Sequence, residues 1–246
     1  MGYQDIKYAV SDAVCLLAQD TTPASFAKYC PRYIDGILVT VELLLLSSFI
    51  GFFIGALVAV GRVSGGPSVR SLAWAWSYVF RGTPLLVQLW IVYFGLGSLG
   101  EEQLGVLWPF FKSGWAVGLA VLTINTSAYI AEILRGGLAT LPPGQYEAAV
   151  SCGMSRGQAM RRILLPQAIR VAWPAYGNEL ILLMKGSALV STITVMDLMG
   201  QTRSVFARGY AMETYAYSAV LYLLLALFLT LLLKMVERRL RVGGYP

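Results

Sequence analysis

Four ionisable side chains stand inside stretches that are otherwise apolar: Arg81, Glu132, Glu179 and Lys185. A charge held in a bilayer is costly, so such a residue is a functional hypothesis by default. The available chemistry is narrow, because the 246 residues contain no histidine. A Ser-His-Asp triad, a Cys-His pair and a His-based metal site are excluded. Cys15, Cys30 and Cys152 lie far apart and form no CxxC pair, which argues against a zinc ribbon or a redox motif. There is no GxxxxGK[ST] phosphate loop, so the chain cannot bind ATP in the manner of that loop. An intramembrane enzyme would have little to work with.

Each charge has its own setting. Glu132 precedes Arg135 by three residues, a spacing that predicts an ion pair on one helix face. Glu179 and Lys185 are six residues apart, roughly 240° around a helix, and so do not simply pair. Glu179 either faces a substrate path or makes a structural hydrogen bond or ion pair. Lys185 is followed by Gly186, Ser187 and Ala188, small residues suited to close helix contact or to a locally opened helix. Arg81 precedes Gly82-Thr83-Pro84, and Pro84 removes a helix hydrogen bond. A kink is expected there, with Arg81 snorkelling to the cytoplasmic side or holding irregular backbone. Asn125, Thr126 and Ser127 lie beside Tyr129 and either line a polar cavity or bond between helices. Glu179, Asn125, Tyr129, Lys185, Ser187 and Arg81 are the candidate substrate-path residues.

These groups need a membrane scaffold to hold them. The chain is 57% hydrophobic and 13% charged, against about 45–50% and 25% in soluble domains. A spanning helix needs about 20 mostly apolar residues. Five stretches qualify: Ile37 to Gly61, Ser71 to Gly97 (interrupted once by Arg81-Gly82-Thr83-Pro84), Trp115 to Ala131, Val171 to Met196, and Thr214 to Leu233. An all-α integral membrane protein follows, with its termini on opposite sides. Trp74, Trp76, Trp108 and Trp115 lie near span ends and fit an interfacial aromatic belt.

Lysine and arginine concentrate on one side. The segments after spans one, three and five hold Arg62, Arg70, Arg135, Arg156, Arg161, Arg162, Arg170, Lys234, Arg238, Arg239 and Arg241, whereas the other side holds Lys7, Lys28, Arg32, Lys112, Arg203 and Arg208. Positive loops stay inside, so the N-terminus is expected outside and the C-terminus in the cytoplasm. This placement accounts for the formal charge of +6 without nucleic acid. Residues 1–36 lack the pattern of a signal peptide. Ile6, Ala9, Val10, Ala13, Val14 and Leu17 fit either a short amphipathic helix on the outer face or a poorly ordered tail. The organisation expected is thus 1–36 as a periplasmic or interfacial segment, 37–240 as the transmembrane domain with a cytoplasmic loop at 141–170, and 241–246 as a cytoplasmic tail.

That loop reads LPPGQYEAAVSCGMSRGQAMRRILLPQAIR. Pro142-Pro143-Gly144 forces a turn, Gln145 to Ser151 can form two helical turns, and Gly153 stands where a left-handed cap would end them. Ser155 and Gln158 form a capping-box start for a second short helix, which Pro166 should stop or kink. An ordinary positively charged interfacial loop would have the same composition.

EAAVSCGMSRGQAMRRILLPQAI resembles the EAA loop of ABC-transporter permeases, with Glu147, Ala148, Ala149, Gly153, Ile163, Leu165 and Pro166 at matching positions. RGTPLLVQLW (Arg81 to Trp90), INTSAYIAEILRGG (Ile124 to Gly137), LPPGQYEAA (Leu141 to Ala149), NELILLMKGSALVSTITVMDLM (Asn178 to Met199) and ERRL (Glu237 to Leu240) are similar to the polar amino acid importer subfamily. Within it the chain resembles the M-type permease subunit of histidine and arginine importers. Two departures stand out: Gly186 occupies a position where many relatives carry aspartate, and Cys152 one that is often leucine.

The resemblance implies a type I importer permease fold with five transmembrane helices, in a bacterial inner membrane. It implies a coupling helix, carried here by Glu147, Ala148, Ala149, Gly153 and Met154, that docks on a cytoplasmic ATPase dimer. ATP and magnesium would be held by that ATPase and no cofactor by this chain. Further partners implied are a second permease subunit, a related chain of the Q type, and a periplasmic amino-acid-binding protein, all working in membrane lipid. A polar amino acid, with basic ones or an opine favoured, is the expected cargo. Glu179 supports this independently, since a carboxylate in a low-dielectric path attracts a cation more strongly than in water. A stand-alone channel or secondary transporter is the alternative, although the five spans show no duplicated half.

Overall fold

The computed structural model describes Cys15 and residues 23–240, and among these there is no strand. The amphipathic helix expected around Ile6 to Leu17 and the tail 241–246 lie outside the described residues. Helix α1 runs Ala24–Ser64 and α2 Pro67–Gly82. After α3 (Leu85–Trp90) the chain continues through short helical turns to Lys112, and α4 spans Gly114–Ala139. Two short helices follow, α5 (Gly144–Ser151) and α6 (Arg156–Ala159), then α7 (Leu165–Ser187), α8 (Leu198–Gly209) and α9 (Glu213–Leu240).

Three helices, α1, α4 and α9, are each long and apolar enough to cross a membrane. Two bent pairs bring the number to five if each pair is one span. The expected runs Ile37 to Gly61, Trp115 to Ala131 and Thr214 to Leu233 fall inside the three unbroken helices. The expected boundary at residue 36 falls within α1, which begins at Ala24 and carries Pro31 inside it.

The second run departs from the expectation of a kinked rod. The helix stops at Gly82, Thr83 takes an extended conformation, and the chain turns by 100° before Leu85. Pro84 supplies no N–H and drives its predecessor out of the helical region, so the helix ends instead of bending. Pro166 also behaves differently from expectation. It does not stop the helix, which continues through α7 to Ser187. A π-helical turn, Met160–Leu164, joins α6 to α7 ahead of it. In the fourth run α7 gives way after Ser187 to a 3₁₀ turn, Ala188–Ile193, and the chain bends by 49° into α8.

The residues cluster into two compact units. The first contains Met1–Leu46, Leu85–Leu122 and Met184–Leu227. In it, Cys15 and Cys30 form a disulfide. A Cβ on Gly36 would come within 2.7 Å of the Leu198 Cα, so α1 and the start of α8 approach backbone to backbone. The Leu198 N–H donates to Thr40 Oγ1 at 3.1 Å, and buried Asp197 caps α8 by accepting from the Gly200 N–H at 2.9 Å.

The second unit contains Ser47–Pro84, Thr123–Leu183 and Phe228–Pro246. Its core is Ala59, Ile130, Leu134 and Ala172, with Phe52 and Tyr176 packed against it. Gly51 and Gly55 form a small-xxx-small face on α1 against α4. A Cβ on Gly55 would lie 2.7 Å from the Ser127 carbonyl oxygen, and one on Gly51 would strike the Thr126 methyl. Gly137 approaches the Ala168 carbonyl in the same way, at 2.7 Å for a Cβ. Without a hydrophobic drive between helices in lipid, such close packing carries the association.

These contacts give a sign test. Gly136 lies on the same helix α4 with nothing within 4 Å of its Cβ position. Gly136→Ala should raise stability by up to about 1 kcal/mol through helix propensity. Gly55→Ala should lower it by about 1–3 kcal/mol through overpacking. Thermal unfolding of the detergent-solubilised variants, read side by side, checks both signs.

Candidate coupling loop and intramembrane charge cluster

The loop at 141–170 ends its first helix by a Schellman motif. Past Ser151, the Met154 N–H donates to the Ala149 carbonyl at 3.1 Å and the Gly153 N–H to the Val150 carbonyl at 2.9 Å. Gly153 has φ +82°, the left-handed conformation that only glycine adopts freely. Met154 then leads straight to Ser155, whose Oγ accepts from the Gln158 N–H at 3.3 Å while the Gln158 Oε1 accepts from the Ser155 N–H at 2.9 Å. That is the expected capping box. The Gln167 side-chain N–H₂ donates to Gln145 Oε1 at 3.1 Å, which ties α5 to α7.

The alanine pair divides. Ala149 is buried within the chain, whereas Glu147, Ala148, Val150 and Cys152 are exposed. Met154 is half-buried. Glu147 and Ala148 therefore lie on the open side of a short rigid helix, and Ala149 anchors it from beneath.

A charge cluster forms elsewhere in the second unit. Glu132 receives Arg135 Nε at 2.8 Å, as its spacing predicted, and also pairs with Arg62 and, at 4.0 Å, with Arg81. The partners from α1 and the end of α2 had no signal in sequence, because residues 62 and 81 meet residue 132 only through packing. The Arg81 guanidinium also lies over the Tyr129 ring, 5.2 Å from its centroid. Arg81 and Tyr129 are thus both engaged at the α2–α4 contact.

Asn125 has a specific task beside them. With no N–H on Pro84, the Phe80 carbonyl loses its helical donor. Asn125 Nδ2 donates to that carbonyl at 2.9 Å. Trp76 Nε1 donates to Ser127 Oγ at 3.1 Å, so Trp76 joins α2 to α4. Thr126 Oγ1 donates to Glu179 Oε1 at 3.1 Å, and Glu179 is buried. Lys185 and Ser187 belong to the first unit. There Lys185 is exposed, and buried Ser187 donates to the Met184 carbonyl at 2.8 Å. The six candidate substrate-path residues are therefore divided: Arg81, Asn125, Tyr129 and Glu179 in one unit, Lys185 and Ser187 in the other. Among the described residues no group of three or more His, Cys, Asp or Glu is placed to hold a metal.

A helical membrane chain with a two-helix loop of this shape has close counterparts among known proteins. Residues 51–242 match the family model of the binding-protein-dependent transport system inner membrane component. The chain belongs to this family. It is 38% identical over 216 residues to the octopine transport permease OccM of Rhizobium radiobacter, covering 87% of this chain and 88% of that one. It is 40% identical over 206 residues to the histidine/lysine/arginine/ornithine transport permease HisM of Salmonella typhimurium, covering 83% and 88%. Among solved structures, an amino acid ABC transporter crystallised with histidines is 38% identical with a TM-score of 0.77, over 87% of this chain and 97% of that one. The methionine transporter MetNI shares the fold at 21% identity, with a TM-score of 0.67 over 85% of this chain and 96% of that one. The family's architecture, the all-α type I importer permease, is therefore that of this chain.

For this family member the charge cluster yields a stability test. Glu132→Gln removes the one carboxylate on which Arg62, Arg81 and Arg135 converge. Breaking a buried pair costs about 3–5 kcal/mol, and this cluster is partly open to solvent, so a loss of about 2–3 kcal/mol is expected. Thermal unfolding of the purified variant measures it, with Glu147→Gln on the exposed loop helix as the near-neutral reference.

Proposed function

We propose that the chain is a permease subunit of an ATP-driven importer that moves polar amino acids or opines, basic ones favoured, from periplasm to cytoplasm. The observation that carries this is the rigid loop helix closed by Gly153, in a chain whose relatives at 37–40% identity are named as octopine, nopaline and histidine-type permeases. The N-terminus lies in the periplasm and the C-terminus in the cytoplasm. The lysine and arginine distribution supports this orientation, and so does the Cys15–Cys30 disulfide, since disulfides persist in oxidising compartments.

In this reading, Glu147 and Ala148 present a carboxylate and a small side chain to a groove on a cytoplasmic ATPase. Gly153 and Met154 fix the angle at which the helix is offered. ATP and magnesium are bound by the ATPase dimer, and a second permease and a periplasmic binding protein complete the assembly. The permease alternates between outward- and inward-facing states as the ATPases close and open. Glu179, with one oxygen held by Thr126, is the carboxylate that favours a cationic side chain along the path.

The decisive experiment is co-purification and reconstitution. The chain should purify with an ATPase and show no uptake without it, whereas ATP-independent uptake by the chain alone would overturn the reading in favour of a channel or secondary transporter. Gly153→Trp cannot hold φ +82° without strain and should lower both ATPase association and transport several-fold. Glu179→Gln keeps size and removes charge. Arginine uptake should fall selectively over glutamine uptake, and an equal change for both would remove Glu179 from the path.

A further inference from the structure

An open cavity of about 760 Å³ in the second unit is lined by Arg62, Arg70 and Arg135 together with Val63, Trp74 and Leu138. Pro67, the first residue of α2, also lines it. Gly66 before it offers no side-chain cap, so the first turn of this 16-residue helix adds unsatisfied N–H groups and the positive end of its dipole. The charges do not balance. Glu132 has two oxygens, and these are already committed to Arg62, Arg135 and the more distant Arg81. Each guanidinium carries five N–H donors, so most donors remain after the carboxylate is satisfied. Arg70 is exposed and makes no ion pair among the described residues.

Apolar side chains share the lining with the arginines. Trp74 is 51% exposed and stacks on Tyr78 at 4.9 Å, and Val63, also in the lining, is exposed. An arginine-rich recess at the ends of spanning helices, bordered by an exposed tryptophan and aliphatic surface, matches an amphiphile with an anionic head. We propose that this cavity binds the phosphate headgroup of an anionic phospholipid of the cytoplasmic leaflet, with its acyl chain running along Trp74 and Leu138. The leaflet rests on the orientation under Proposed function, whereas the headgroup chemistry does not. A soluble anion would use the arginines but gain nothing from the apolar side chains, and a protein partner would use Arg70 without selecting among lipids.

Native mass spectrometry of the purified full complex, titrated with phosphatidylglycerol or phosphatidylcholine, tests the site. Wild type should retain phosphatidylglycerol at least ten-fold better than phosphatidylcholine, with inorganic phosphate at millimolar concentration failing to displace it. Arg70→Glu should abolish that preference, and Trp74→Ala, which leaves every charge in place, should weaken retention several-fold. Both positions are exposed, and unchanged thermal unfolding shows that the variants fold. Equal retention of both lipids by wild type, displacement by inorganic phosphate, or an Arg70→Glu variant that loses the ATPase while keeping its lipid preference would each overturn the proposal. Loss of ATP-driven uptake with lipid selectivity intact would count against Proposed function and leave this site standing.

Discussion

A backbone carbonyl cannot be left bare in a medium that offers no water, and the break at Thr83-Pro84 leaves one on Phe80. Much of the second unit is arranged around that constraint. Asn125 meets the Phe80 carbonyl, and Thr83 returns its own N–H and hydroxyl to the Val79 carbonyl at 3.1 and 2.8 Å. Trp76, four residues before Phe80, reaches Ser127, two residues after Asn125. The polar run Asn125-Thr126-Ser127 is therefore the surface that receives the end of a terminated helix and, through Thr126, the buried Glu179.

Charge follows the same logic further along α4. Glu132 sits where α1, the end of α2 and α4 come together, and three arginines converge on it. Pairing lowers the cost of holding each charge away from bulk water. The close approach of α1 to α4 at Gly51 and Gly55 is what lets a residue at position 62 reach one at 132. Small residues and ion pairs thus depend on each other: the glycines set the helix separation, and the arginines use it.

The loop between α4 and α7 obeys local rules. Its Schellman closure, its left-handed glycine and its capping box each involve residues within six positions of one another. The first two close α5 and the box opens α6, so the junction between the two short helices is fixed locally. Ala149 buried beneath and Gln145 tied to Gln167 fix that helix to the long helix α7.

The division between sequence and tertiary structure follows the range of the forces. Hydropathy alone located the apolar runs, because a bilayer demands about 20 apolar residues wherever the chain crosses. The turn at Pro142-Pro143-Gly144, the cap at Gly153, the Ser155–Gln158 box and the Glu132–Arg135 pair were equally legible, since each is set by neighbours within one or two turns. The sharpness of the break before Leu85 was not, because proline forbids a hydrogen bond without dictating the angle that follows. Nor was the passage of the helix through Pro166, just after a π turn. Arg62 and Arg81 on Glu132, Asn125 on Phe80, Trp76 on Ser127 and the pairing of Cys15 with Cys30 join residues distant in the chain. Each sequence position carried the donor or acceptor, but its partner was chosen by helix packing, which brings together groups that no local periodicity connects.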